Sequence, residues 1–211
     1  MRIAICPDLH LTELDAAVTR ALDEATKVLA GAGAKIETVP FLLAGDVQAT
    51  REALGRGEFL TLHRARFAAH PEGYGADLHL RFEESTRITL DDYVRACRMR
   101  EAMRRDFDEI LRAVDAIILP TTHCEAPLIA TDTSRVNGKD VTIGRGLAVR
   151  LGAINVAGLP TVAVPIGFGE AGLPLSMQIV GPAWGEATIL RIAHAYEVAT
   201  LELRSRRPTA I

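Results

Sequence analysis

Apolar positions along this chain recur with two spacings, every second residue and every third or fourth, and the two alternate from the first residues onward. Arg2–Cys6 is a short strand-like run stopped by Pro7. Leu14, Val18, Leu22, Ala25 and Leu29 then repeat at helical spacing, which gives a helix one apolar face. Thr12-x-x-Asp15 ahead of them has the form of a capping box, and Gly31 with Gly33 marks the end. Ile36–Val39, closed by Pro40, reads as a second strand. A strand, a helix and a strand in that order predict a parallel pair within an α/β sheet.

Residues 45–70 carry a helical pattern weakened by Gly55 and Gly57, and PEGYG at 71–75 is a loop. A long helix is predicted from Thr89, with Asp92 three residues on, to about Ala113. Ala116–Leu119 is a buried strand ended by Pro120, and 121–145 is loop-rich. A helix ends near Gly158, strands follow at Thr161–Ile166 and Leu175–Val180, and a last helix spans Ala187–Leu201. The fold class expected is α/β: part of a mixed, mainly parallel sheet flanked by helices. No repeat or linker divides the chain, so residues 1–201 form one unit, followed by a basic tail at 202–211.

With 211 residues, 48% apolar and 24% charged, the chain has the balance of a globular protein. Its net charge of −3 gives no reason to expect nucleic acid or an anionic membrane as partner. No apolar run approaches the ~20 residues that span a bilayer, and Met1 leads straight into a strand rather than a signal peptide, so a cytoplasmic location is the expectation. Cys6, Cys97 and Cys124 are odd in number and unpatterned, which argues against disulfides or zinc and for small core residues. His10, His63, His70, His79 and His194 lack metal-ligand spacing.

Four segments, in order, resemble the amidase signature family: DAIILPTT at 115–122 with APLI at 126–129, NVAGLPTVAVPIGF at 155–168, GLPLSMQIVGPAWGE at 172–186, and ILRIAHAYE at 189–197. RIAICPD at the start resembles the point where that family's C-terminal half begins. The resemblance implies an α/β/α sandwich and hydrolysis of a carboxamide C–N bond by water, without metal or organic cofactor. It also implies a catalytic Ser, a bridging Ser and a Lys, with a Gly/Ser-rich segment supplying oxyanion donors. In the family these precede the region matched here. The chain has serines only at Ser85, Ser134, Ser176 and Ser205, and lysines only at Lys27, Lys35 and Lys139. None carries over as a catalytic residue. His123-Cys124 beside Glu125 invites a thiol reading, but sequence neighbours on an extended segment point to opposite faces.

One helix holds a site-like departure from pattern. Tyr93, Cys97, Phe107 and Leu111 fall close to one line on the helix from Thr89, and Arg100 and Arg104 interrupt that line. Their stems can cover apolar surface while the guanidinium groups reach water, or one can enter a cleft and hold a carbonyl or anionic group. The resemblance favours Arg100: Tyr93-x-x-Ala96-x-x-x-Arg100 is similar to the helix from which tRNA-dependent amidotransferase subunits present a substrate-contacting Arg. Those subunits place an Asp seven residues before the position of Asn155, where this chain has Ala148, which favours a different amidase subclass. The same resemblance places Thr122 and Pro127 near the cleft. The expected function is therefore the substrate-side C-terminal half of an amidase, inactive without the N-terminal catalytic half. Its partners would be a small amide and either that half or further copies of itself. The rivals are a non-catalytic binding or regulatory module and a truncated product derived from an amidase.

Overall fold

The computed structural model describes residues 1–10, 13–129, 131, 133–142 and 152–205. Strand β1 (Arg2–Ile5) leads to helix α1 (Ala16–Gly31) and strand β2 (Lys35–Thr38), which pairs parallel to β1 from Arg2↔Lys35 to Ile5↔Thr38. Helices α2 (Val47–Ala69), α3 (Ala76–Ser85) and α4 (Leu90–Ala113) follow. Strand β3 (Ala116–Pro120) returns to the sheet parallel to β1. A hairpin of β4 (Thr133–Val136) and β5 (Lys139–Thr142) and a short helix α5 (Gly152–Ala157) come next. Strands β6 (Thr161–Phe168) and β7 (Pro174–Val180) and helices α6 (Glu186–Ala199) and α7 (Leu201–Ser205) complete the order.

The main sheet runs β2-β1-β3-β7-β6. β7 is antiparallel to both β3 and β6, so it alone is reversed and the other four strands share one direction. This is the mixed, mainly parallel sheet that the sequence leads one to expect. Alternation along the strands sorts the core into two faces. Ile3, Ile118, Val164, Met177 and Ile179 face α1 and α6, where Leu22, Leu29, Ile192 and Tyr196 meet them. Ala4, Ile117, Leu119 and Val180 face Met103 and Phe107 of α4 and Ile154 of α5. Each fully buried Leu, Ile or Phe contributes roughly 1.5–3 kcal/mol, so these two layers hold the α/β/α arrangement together.

Several local expectations are revised. Helix α1 begins at Ala16 with Asp15 as its cap, accepting from Ala17 N at 2.8 Å. Asn137 Oδ1 accepts from Ala16 N at 2.8 Å; Thr12, the other residue of the expected box, lies outside the described residues. Residues 76–85 are helical, where no element was expected. Phe82 of α3 stacks on Phe67 of α2 at 4.0 Å, and Tyr74 meets Phe67 edge-on at 5.1 Å, so a cluster of aromatics fastens this hairpin. The loop-rich stretch contains the β4–β5 hairpin, turned by Asn137 (φ 49) and Gly138 (φ +76) in the two-residue geometry that suits a right-handed twist. The last helix breaks at Thr200, whose hydroxyl donates to the Tyr196 carbonyl at 2.8 Å.

The line of Tyr93, Cys97, Arg100 and Arg104 is a flank rather than the centre of the buried stripe of α4. That centre is Ala96, Met103, Phe107 and Ile110, because α4 packs against the sheet on one side and against α2 beside it. Arg104 is solvent-exposed, whereas Arg100, Tyr93 and Cys97 are half-buried. The start of α4 has the box expected: Asp92 N donates to Thr89 Oγ1 and Thr89 N to Asp92 Oδ2, both at 3.1 Å.

Candidate functional site

β1 and β3 run parallel and end side by side, Ile5 against Ile118. In open α/β sheets the crevice beyond such carboxyl ends is where ligands are held. The chain leaving β3 is fixed there by several bonds. Thr121 N donates to Ser176 O at 2.9 Å, Thr122 Oγ1 to Cys124 O at 2.9 Å, and Asp15 N to His123 O at 2.8 Å. Glu125 accepts from Ala171 N and Leu173 N at 3.0 and 2.9 Å and so clasps the β6–β7 turn. Pro127 is half-buried further along this loop.

Helix α4 runs back along the sheet from the tight turn at Val114 and Asp115, where Asp115 N donates to Arg2 O at 2.8 Å. Thr121 stands ~17 Å up the strand from Ala116, and Arg100 ~20 Å up the helix from Ala113, so the two lie at one level. Arg100 Nε is buried without a hydrogen-bond partner among the described residues, and Glu101 Oε1 stands 3.7 Å from it. Two further polar atoms at this end are buried and unpartnered among the described residues: Thr121 Oγ1 and Gln178 Nε2. Gln178 pairs with Leu119 and Ala163, and Thr121 follows two residues after Leu119, so both rise from the α4 face of the sheet. All three atoms can donate, and a carbonyl or carboxylate oxygen is the group that would satisfy them.

Tyr93 lies ~10 Å further along α4 than Arg100. It packs into α2 at Gly57, where a Cβ would come within 2.6 Å of its ring, and burial beside Cys97 raises its pKa. It lines a groove with Leu60, Leu62 and Leu90, and Arg100, Thr122 and Pro127 do not line that groove. Thr121 and Gln178 were missed by sequence reasoning, although a Gln within the apolar run Leu175–Val180 was a readable signal. A charged cleft between α2 and α4 was missed too. Of the three arginines that line it, Arg56 pairs with Glu52 and Glu84, and Arg95 with Asp92.

Several of the nucleophile candidates are committed, while Ser176 stands beside Thr121, whose N donates to its carbonyl. Ser85 is fully buried and donates to Arg81 O at 2.7 Å, and Ser205 donates to Glu202 O at 2.7 Å. Lys27 pairs with Glu24 and Lys35 with Glu37, while Ser134 and Lys139 stand on the separate β4–β5 hairpin. Burial, reinforced by Asp8 and Asp106, pushes the Cys6 thiol up to about 12, so it is no thiolate at neutral pH. Cys124 is buried at 2% exposure.

Helices on both faces of a mainly parallel sheet, with unpartnered polar groups near the strand ends, define an α/β domain with a candidate site at that end. The chain belongs to the amidase family, whose profile matches residues 1–190. It is 36% identical over 123 residues to the fatty acid amide hydrolase of Oryza sativa subsp. japonica, covering 58% of this chain and 20% of that one. It is 31% identical over 228 residues to a glutamyl-tRNA(Gln) amidotransferase subunit of Geobacter metallireducens, covering 95% and 45%. It superposes on a crystal structure of an amidase with TM-score 0.84 and 25% identity, over 96% of this chain and 45% of the other. The chain thus spans less than half the length of these relatives. Ala148, which stands where the amidotransferase resemblance calls for an acidic residue, lies outside the described residues. Among those residues no helix is long and apolar enough to cross a membrane.

Proposed function

We propose that these residues form the substrate-side half of an amidase that hydrolyses a carboxamide C–N bond when joined by a half carrying the Ser-Ser-Lys machinery. The observation that carries this is the family match over residues 1–190; Ser85 and Ser205 are engaged with backbone carbonyls and Lys27 and Lys35 with carboxylates. In this reading the nucleophilic Ser, its proton relay and the oxyanion donors enter over the carboxyl ends of β1 and β3. Arg100 holds a carbonyl or carboxylate of the amide, with Thr121 and Gln178 lining the same floor. Thr122 and Pro127 shape the loop on one side, and Tyr93 fixes α4 against α2 so that Arg100 keeps its height. Orientation alone gives no turnover, because the attacking group is not in this chain.

The purified 211 residues should be silent toward aliphatic and aryl carboxamides and unlabelled by a fluorophosphonate probe. A catalytic half from the family, added in trans or fused ahead of Met1, should restore hydrolysis. Turnover by the isolated chain that is lost on Ser134→Ala or Cys124→Ala would sink the reading. Specific binding of a ligand with no restoration of activity would favour a regulatory module.

A further inference from the structure

The two faces of the main sheet are not covered alike. Val164 and Ile166 of β6 are buried under α1 and α6. The alternate residues Thr161, Ala163 and Pro165 point to the α4 side and are exposed. On that side α4 and α5 cover Ala4, Ile117, Leu119 and Val180, and no residue of β6 belongs to the buried layer they form. A mainly parallel sheet is ordinarily buried on both faces, so this end of the sheet is a shelf without its cover.

Gln178 marks the border of the shelf. It pairs with Leu119 on β3, which is buried, and with Ala163 on β6, which is exposed. Gln178 itself is 2% exposed, and its Nε2 has no hydrogen-bond partner among the described residues. A buried amide without an acceptor is destabilising, so the acceptor is expected in whatever lies over the shelf.

The side chains of the shelf limit the kind of cover. Thr161, Ala163, Pro165 and the half-buried Ser176, which pairs with Pro165, are all compact. A helix seated on a sheet needs larger aliphatic side chains beneath it, as Ile117, Leu119 and Val180 supply under α4 and α5. Compact residues instead let a main chain come close, and a main-chain carbonyl is an acceptor for Gln178. Two observations indicate where that main chain comes from. β6 is bonded only to β7, so the sheet is open to continuation at this strand. The chain fills 45% of the amidase on which it superposes, so the greater part of such a molecule is available to cover the shelf. We propose that the β6–β7 shelf seats a main-chain segment of the catalytic half, and that Gln178 Nε2 donates to one of its carbonyls. This rests on the reading of the chain as one half of an amidase.

The test joins the N-terminal half of that amidase ahead of Met1 through a protease-cleavable linker and follows the two pieces by sedimentation after cleavage. The parent pieces should stay together at ~1 μM. Ala163→Trp should weaken the association at least ~100-fold, with far-UV CD and Tm of the isolated chain unchanged because the position is exposed. Ala163→Ser should associate as the parent does. Gln178→Met should weaken association ~10-fold yet raise the Tm of the isolated chain, because it removes an unsatisfied donor at nearly constant volume. A glutamine of purely structural value would do the reverse, lowering Tm and sparing association. Pieces that part once cut, association indifferent to Ala163→Trp, or a fall in Tm for Gln178→Met would each overturn the proposal. So would self-association of the isolated chain that Ala163→Trp abolishes, which would give the shelf to a second copy. A complex with the expected sensitivities that hydrolyses nothing would keep the contact and sink the amidase reading. Hydrolysis unaffected by Ala163→Trp would sink the contact alone.

Discussion

Among single residues, three unsettled polar atoms lie near the carboxyl end of β3. Arg100 Nε, Thr121 Oγ1 and Gln178 Nε2 are each buried without a hydrogen-bond partner among the described residues. A buried unpartnered donor costs about 1–3 kcal/mol, so such atoms persist where a ligand or a further chain satisfies them. In an enzyme assembled with a catalytic half, Arg100→Ala should lower kcat/KM about 10–100-fold, the worth of one charge-assisted hydrogen bond, and leave Tm nearly unchanged. A cation serving only a buried ion pair would behave otherwise: its loss would lower stability by roughly 3–5 kcal/mol and spare the kinetics. Calorimetry and steady-state kinetics on one preparation separate the two.

Between elements, the β4–β5 hairpin acts as a clamp on α1. The Asn137 side chain accepts from Ala16 N and donates to Glu13 Oε1 at 2.7 Å and to Leu14 O at 3.0 Å, while its backbone N donates to Asp15 Oδ2 at 3.0 Å. It does so from a left-handed backbone that Asn tolerates and Ala does not. Asn137→Ala should therefore cost about 2–3 kcal/mol, a cap plus the αL penalty, and lower Tm by several degrees. Asn137→Gly, which keeps the turn and loses the cap, should recover part of that loss. Equal Tm for all three proteins would show that the clamp contributes nothing. The clasp of Glu125 on the β6–β7 turn has the same logic: a Cβ at Gly169 would fall 2.0 Å from Glu125 Cδ, so that turn admits only glycine without displacing the carboxylate.

Across the whole molecule, the two edges of the main sheet differ in kind. β6 is one exposed edge among the described residues, bonded only to β7, and Ala163 and Pro165 on its α4-side face are exposed. At the opposite edge β2 carries Lys35 and Glu37, which pair with each other, and Glu37 also pairs with Arg2. Charges guard that edge, whereas β6 offers unpaired backbone to an added strand. Hydrogen exchange should be slow throughout β3, which has neighbours on both sides, and fast at the outward amides of β6. Addition of a catalytic half should slow β6 selectively. Uniform protection of β6 in the isolated chain would rule out an open edge.

Local sequence was enough to set the order and type of most elements in the sheet and its flanking helices. Val18, Leu22 and Leu29 at helical spacing, Thr89 with Asp92, and the short apolar runs at 116–119 and 175–180 each respond to local periodicity, which needs no knowledge of distant residues. The family segments lie in those same elements, so family and fold class were legible together. Other features depend on contacts between distant positions and emerged only from the packed chain. Helix α3 owes its place to Phe67 and Phe82, fifteen residues apart. The first N–H of α1, that of Ala16, is satisfied by Asn137, 121 residues away. The Asn-Gly turn was written in the chain, yet its role as a clamp was not. Arg100 was singled out from its helical line, but its level beside Thr121 and Gln178 follows from a strand and a helix that rise at different rates from one turn. Periodicity fixes which face a residue occupies; only the packed sheet fixes what stands opposite it.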